Sequence, residues 1–131
     1  MSKLRTGASL SKDDYWCVQY LTTVLKKNSS DIMNDALQTG LVKIGNNKRP
    51  KKPARPSSKD AHRFYYTIDR ELLTRMTMLQ IDRNLYNWGR IDIIRYGLRR
   101  VLWSYTMRYP ELKRITHKYR KEVEDDQETD T

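Results

Sequence analysis

Arg5, Gly7 and Ser9 stand two residues apart, and so do Arg63, Tyr65 and Thr67. In an extended strand successive side chains point to opposite faces, so each triplet would share one face. The chemistry on offer is hydrogen bonding to a partner rich in flat donors and acceptors. A guanidinium grips a guanine edge at two points, and the hydroxyls of Ser9, Tyr65 and Thr67 suit other base edges or phosphates. A two-stranded ribbon fits the major groove of B-DNA, which is roughly 12 Å wide. The competing reading makes Arg5 and Arg63 merely solvated strand residues, and Tyr65 a structural aromatic at the ribbon edge.

A second set of residues suits phosphate. Helices are expected to begin near Asp31 and Asp92. The free backbone N–H groups at such a helix start form a ready anion site. Ser29 and Ser30 would add hydroxyls to one start; Gly89 and Arg90, with Asn87 nearby, would serve the other. Lys48, Arg49, Lys51, Lys52 and Arg55 lie among Pro50, Pro53 and Pro56. They are expected to attract phosphate without sequence preference, a reading favoured here over insertion as a minor-groove arm.

Composition points the same way. The 131 residues carry a formal net charge of +10, which makes nucleic acid or another polyanion the first partner to consider. Glu122, Glu124, Asp125, Asp126, Glu128 and Asp130 form an acidic end, so the rest of the chain is more basic still. The single cysteine, Cys17, rules out an intrachain disulfide and reads as a packed thiol. Together with the lack of a signal-like start, this leads us to expect a reducing, cytoplasmic setting. No apolar run approaches the roughly 18 residues of a membrane span. His62 and His117 lie far apart with no ligand cluster, so neither a metal nor another cofactor is expected. No nucleophile stands beside a plausible base, and five glycines supply no phosphate loop. The chain is therefore not expected to be an enzyme.

The elements that must position these residues occur twice. Ala8 and Leu10 alternate with Gly7 and Ser9; Ser11 then caps a run carrying Tyr15, Val18, Leu21 and Leu25. A polar turn, with Ser29 or Ser30 as cap, leads into Ile32, Met33, Ala36 and Leu37. In the second copy Phe64, Tyr66 and Ile68 alternate with Arg63, Tyr65 and Thr67, and Asp69 caps a run with Leu72, Leu73, Met76 and Leu79. A turn near Gly89 leads into Ile93, Ile94, Gly97 and Leu98. The second copy is longer before its turn, and its first helix is expected to extend through Asn84 and Tyr86. Each repeat has an apolar face that it cannot bury alone. Residues 1–44 form the first repeat, 45–60 an extended basic linker too polar to join a core, and 61–106 the second repeat. Residues 107–122 form a basic helix starting at Pro110, and 123–131 a disordered acidic tail. Trp88, Trp103, Tyr105 and Tyr109 read as packing residues.

Strand, helix, polar turn, helix, with an apolar-then-cap junction (Leu10-Ser11, Ile68-Asp69) and a small residue before leucine (Ala36-Leu37, Gly97-Leu98), resembles the ribbon-helix-helix family. The resemblance spans about 80 residues, and its strength lies in the two matches in one order. Most members are homodimers whose two strands pair antiparallel. Two copies in one chain resemble the tandem, single-chain layout of accessory proteins of T-DNA transfer. The resemblance implies a mainly α fold with one two-stranded antiparallel β-ribbon, an intramolecular pseudodimer plus a C-terminal helix. It implies double-stranded DNA binding, with the ribbon in the major groove and the second helices clamping phosphates. The expected role is an accessory factor in plasmid or T-DNA processing and conjugative transfer, partnered by a relaxase or a ParA-like ATPase. A transcriptional repressor and a protein–protein adaptor are the alternatives. The chain is expected to act as a monomer, with further association on DNA left open.

Overall fold

The computed structural model describes the backbone of residues 3–129 and the side chains of residues 3–124. Two strands, β1 (Lys3–Ser11) and β2 (Ala61–Asp69), pair antiparallel. Gly7 lies opposite Tyr65 at the middle of the pairing, with Lys3 opposite Asp69 at one end and Ser11 opposite Ala61 at the other. The period of two sorts the side chains as the sequence demands: Ala8, Leu10, Tyr66 and Ile68 are buried, while Arg5, Arg63 and Tyr65 face solvent. An isolated two-stranded ribbon is marginal in water, so it needs the helices beneath it. β1 begins at Lys3, so Arg5 lies within the paired region.

Each strand runs straight into a helix. Ser11 caps α1 (Lys12–Leu25), its Oγ accepting from the Asp14 N–H at 3.1 Å. Asp69 holds the same place before α3 (Arg70–Asp82) but makes no side-chain capping bond. The cap of α2 (Ser29–Asn46) is Asn28, whose Oδ1 accepts from the Asp31 N–H at 2.8 Å; Ser29 and Ser30 lie inside the helix rather than capping it. Gly89 opens α4 (Arg90–Tyr105), and the Asp92 carboxylate turns back to accept its N–H at 2.7 Å.

The second helices of the two halves, α2 and α4, cross with their backbones in contact. A Cβ on Gly97 would stand 1.7 Å from the Ala36 carbonyl oxygen, and one on Gly40 would stand 2.5 Å from that of Ile93. Around this crossing Met33, Leu37, Ile44, Ile93, Ile94 and Leu98 are fully buried. The small residues at Ala36 and Gly97 thus bring the helices close, as the sequence suggested.

Three expectations need correction. First, α3 ends at Asp82, and Asn84 takes a left-handed φ of 55°. The extra residues of the second copy form a turn that tucks Trp88 into the core and aims Arg83 at α2. Arg83 donates to the carbonyls of Ile44, Gly45, Asn47 and Lys48 at 2.5–3.3 Å and so closes the open end of that helix. Second, the Pro-rich linker is docked across α4, with Asn47 and Pro53 buried. Asn47 Nδ2 donates to the Tyr96 hydroxyl at 3.0 Å, the Ala54 carbonyl accepts from Arg95, and Arg55 pairs with Asp92 at 3.2 Å. Polar bonding docks this segment where apolar bulk could not.

Third, the C-terminal segment is not one helix. A 3₁₀ turn (Pro110–Leu112), α5 (Lys113–Thr116) and a second 3₁₀ turn (His117–Tyr119) precede α6 (Arg120–Thr129). Leu112, Ile115 and Tyr119 are buried nonetheless. The expected loose tail is helical through Thr129. Glu122 pairs with Arg99 at 2.5 Å, and Glu124 with Arg120 at 2.8 Å, which anchors the acidic stretch at its start. The last two residues of that tail lie outside the described residues.

The Tyr119 hydroxyl donates to the buried Asp14 carboxylate and ties the C-terminal segment to α1. Burial raises the Asp14 pKa, while the bond from Tyr119, the charges of Arg99 and Arg95 and the Ser11 hydroxyl oppose it. Burial, with the charges of Asp14 and Asp13, pushes the Cys17 thiol up to about 12, as suits a packed cysteine. Among the described residues no helix is long and apolar enough to cross a membrane.

Two measurements check this packing. Gly97→Ala should destabilise by at least ~2 kcal/mol in urea titration, because the new methyl meets backbone. Gly45→Ala, with open space around it, should be neutral or gain up to ~1 kcal/mol. The Asp14 carboxyl holds its proton more tightly folded than unfolded. Its contribution therefore favours the fold at low pH and falls as pH rises from the ordinary carboxylate range through the raised pKa. Compared with Asp14→Asn, the wild type should lose stability as pH rises above the ordinary carboxylate range; a constant gap would refute the raised pKa.

Candidate nucleic-acid interface

The outer face of the ribbon collects all six residues expected to read bases. The pair Gly7–Tyr65 is flanked by Arg5–Thr67 on one side and Ser9–Arg63 on the other. Tyr65 is 57% exposed and stands between two guanidinium groups, with Arg5 Cζ 6.0 Å and Arg63 Cζ 5.7 Å from its ring centre. Gly7 makes room for this arrangement. A Cβ there would come within 2.8 Å of Arg63 Nη2, so the missing side chain lets that guanidinium lie across the strand pair. Lys3 shares the face and was not singled out from the sequence. Its alternation with Arg5 was the available signal.

From the Arg5–Thr67 pair to the Ser11–Ala61 pair this face holds no carboxylate; Asp69 closes one end opposite Lys3. Four basic side chains elsewhere are committed to carboxylates: Lys27 to Asp35, Lys118 to Asp13, Arg99 to Glu122 and Arg120 to Glu124. Arg5 and Arg63 rest on an aromatic ring instead.

Residues assigned to phosphate from the sequence divide into two groups. Lys48, Arg49, Lys51 and Asn87 are exposed. The others do internal jobs. Ser30 Oγ accepts from the Thr67 N–H at 2.9 Å, which secures the outer edge of β2. Arg90 donates to the Thr6 Oγ1 at 3.0 Å and so binds the start of α4 to β1. The Gly89 N–H is taken by Asp92, and Arg55 sits beside this helix start, held by the same carboxylate. Lys52 Nζ donates to the Asn87 carbonyl at 3.2 Å. Ser29 begins α2 beside the Asn28 cap.

Asn34 is the residue that sequence reasoning missed. Its Nδ2 donates to the Thr67 carbonyl at 2.9 Å and its Oδ1 accepts from the Asp69 N–H at 3.0 Å. With Ser30 it pairs the free edge of β2 as another strand would, and so fixes the end of the ribbon against α2. An Asn one turn into an amphipathic helix carries no sequence signature of this job.

Among the described residues no cluster of three or more His, Cys, Asp or Glu is placed to hold a metal ion. Comparison of the chain with family models, with curated proteins and with solved structures gave no match.

Replacing Asn34 by Ala should cost ~2 kcal/mol, since two strand groups lose their partners. It should also speed hydrogen exchange at the Asp69 amide more than at the Tyr66 amide. Equal protection of both amides in the variant would refute the edge-pairing role.

Proposed function

We propose that this chain is a single-chain ribbon-helix-helix pseudodimer that binds double-stranded DNA by laying β1 and β2 in the major groove. The observation that carries the reading is the outer ribbon face: two arginines and three hydroxyl side chains on one paired surface, with no carboxylate from the Arg5–Thr67 pair to the Ser9–Arg63 pair. The ribbon is two strands wide, which matches the groove. Arg5 and Arg63 take guanine edges, and Ser9, Thr67 and Tyr65 take neighbouring base edges or phosphates. Gly7 leaves the groove floor open to them.

The starts of α2 and α4 lie beside the two strands through Ser30–Thr67 and Arg90–Thr6 contacts. On this reading, they flank the groove and present backbone N–H groups to the phosphates. Ser29, Arg90 and Arg55 supply the adjoining side chains, while Lys48, Arg49, Lys51 and Lys52 add attraction without sequence preference. The chain is not an enzyme on this reading and needs no cofactor.

The tandem layout favours an accessory role in plasmid or T-DNA transfer, in the cytoplasm, with a relaxase or a ParA-like ATPase as partner. Footprinting separates that role from repression: protection at a transfer border supports it, and protection over a promoter supports a repressor.

Binding itself is tested by titrating duplex DNA at several salt concentrations. Log K should fall with log salt by about 0.9 per phosphate neutralised. Arg63→Ala should weaken binding to a selected site by about 1–3 kcal/mol and leave scrambled duplex nearly unaffected. Salt-independent binding, or an unchanged preference for the selected site, would overturn the reading.

A further inference from the structure

The pairing of the two strands has a symmetry of its own. Stepping two residues outward from Gly7–Tyr65 gives Arg5 opposite Thr67 in one direction and Ser9 opposite Arg63 in the other. Both steps place an arginine across from a small hydroxyl. A half-turn about the Gly7–Tyr65 pair therefore exchanges Arg5 with Arg63 and Ser9 with Thr67, like for like. On the inner face Leu10 and Ile68, both fully buried, exchange likewise, while Ala8 exchanges with the larger Tyr66. At the axis the likeness fails: glycine faces tyrosine.

We propose that the recognised duplex is palindromic in its flanks and asymmetric at its centre, with Tyr65 the residue that reads the centre. The proposal rests on the DNA-binding reading above. Like side chains at like positions read like base pairs, so the two arginine–hydroxyl pairs select inverted copies of one step. Tyr65 has no counterpart. Its ring is 57% exposed beside both the Arg5 and Arg63 guanidinium groups, and position 7 opposite it carries no side chain, only the Arg63 guanidinium lying over it. A phenol hydroxyl gives or takes one hydrogen bond, and a ring edge packs on a thymine methyl. One such side chain at a two-fold axis touches one base of the central step and not its symmetry mate. A chain built this way sits on its site in a single orientation, which a symmetric homodimer cannot do.

Selection from a duplex library randomised over about one helical turn tests this. The wild type should enrich a consensus with inverted-repeat flanks and a non-palindromic centre. Making that centre palindromic should lower wild-type affinity about fivefold or more, the scale of one base contact. Tyr65→Ser should keep the flanks and lose the central preference, binding both centres within about twofold. Tyr65 is more than half exposed, so the variant should melt like the wild type. Should it fail to fold, the wild-type consensus decides alone. A consensus palindromic throughout, unrelated flanks, or a central preference that survives Tyr65→Ser overturns this proposal while leaving DNA binding intact. Enrichment of no duplex at all overturns the DNA-binding reading itself, and the proposal with it.

Discussion

The crossing of α2 and α4 is the constraint on which the rest depends. At Gly97 the approach is so close that a methyl group would penetrate the Ala36 carbonyl. A glycine inside a helix costs about 1 kcal/mol relative to alanine. Gly40 and Gly97 both bear that cost, and the close approach lets Met33, Leu37, Ile93 and Ile94 leave water entirely. The same approach sets where each helix starts. The α2 start meets β2 through Ser30 and Asn34, and the α4 start meets β1 through Arg90. Widening the crossing would pull the helix starts off the strands and open the ribbon edges.

Helix α4 lies at the centre of the molecule and is polar for a central helix. Asp92, Arg95 and Arg100 are all buried. Burying charge is expensive unless partners are at hand, and the segments outside the two repeats provide them. The linker gives the Ala54 carbonyl to Arg95 and Arg55 to Asp92; the C-terminal segment gives Glu122 to Arg99 and Arg100. Arg95 still has its Nε and Nη1 without hydrogen bonds, and burial pulls its pKa down, reinforced by the charge of Arg99. Asp14 and Asp92 act in the opposite sense. The linker and the C-terminal segment are thus structural parts of one domain, joined to it by polar bonds.

This division explains what was legible in the sequence. Apolar periodicity told the strand faces correctly, since Leu10 or Ile68 turned outward would forfeit its burial. Ser11 as a cap and Gly97 as a contact residue were legible because each has one dominant physical use. What stayed hidden was polar and long-range. Arg83 closing α2, Arg55 neutralising Asp92 and Asn34 pairing the β2 edge each depend on a partner more than thirty positions away. Composition alone made the linker look unattached. Nor did the sequence show that Ser30, Arg90 and Arg55, assigned to phosphate, each have a protein partner in the fold.

Two cations of the ribbon face are held by an aromatic ring, where several others on the surface pair with carboxylates. Lys118, Arg120 and Lys27 sit against carboxylates. A phosphate or base that sought them would first have to break an ion pair. Arg5 and Arg63 sit against Tyr65, and a ring face holds a guanidinium without consuming its donors. All five N–H groups of each remain free to turn toward a partner. Arg5 Cζ and Arg63 Cζ lie 6.0 Å and 5.7 Å from one ring centre, which keeps two like charges near each other. On the proposed reading, a surface that positions two guanidinium groups with a glycine and a tyrosine gives up little internal bonding when a polyanion arrives.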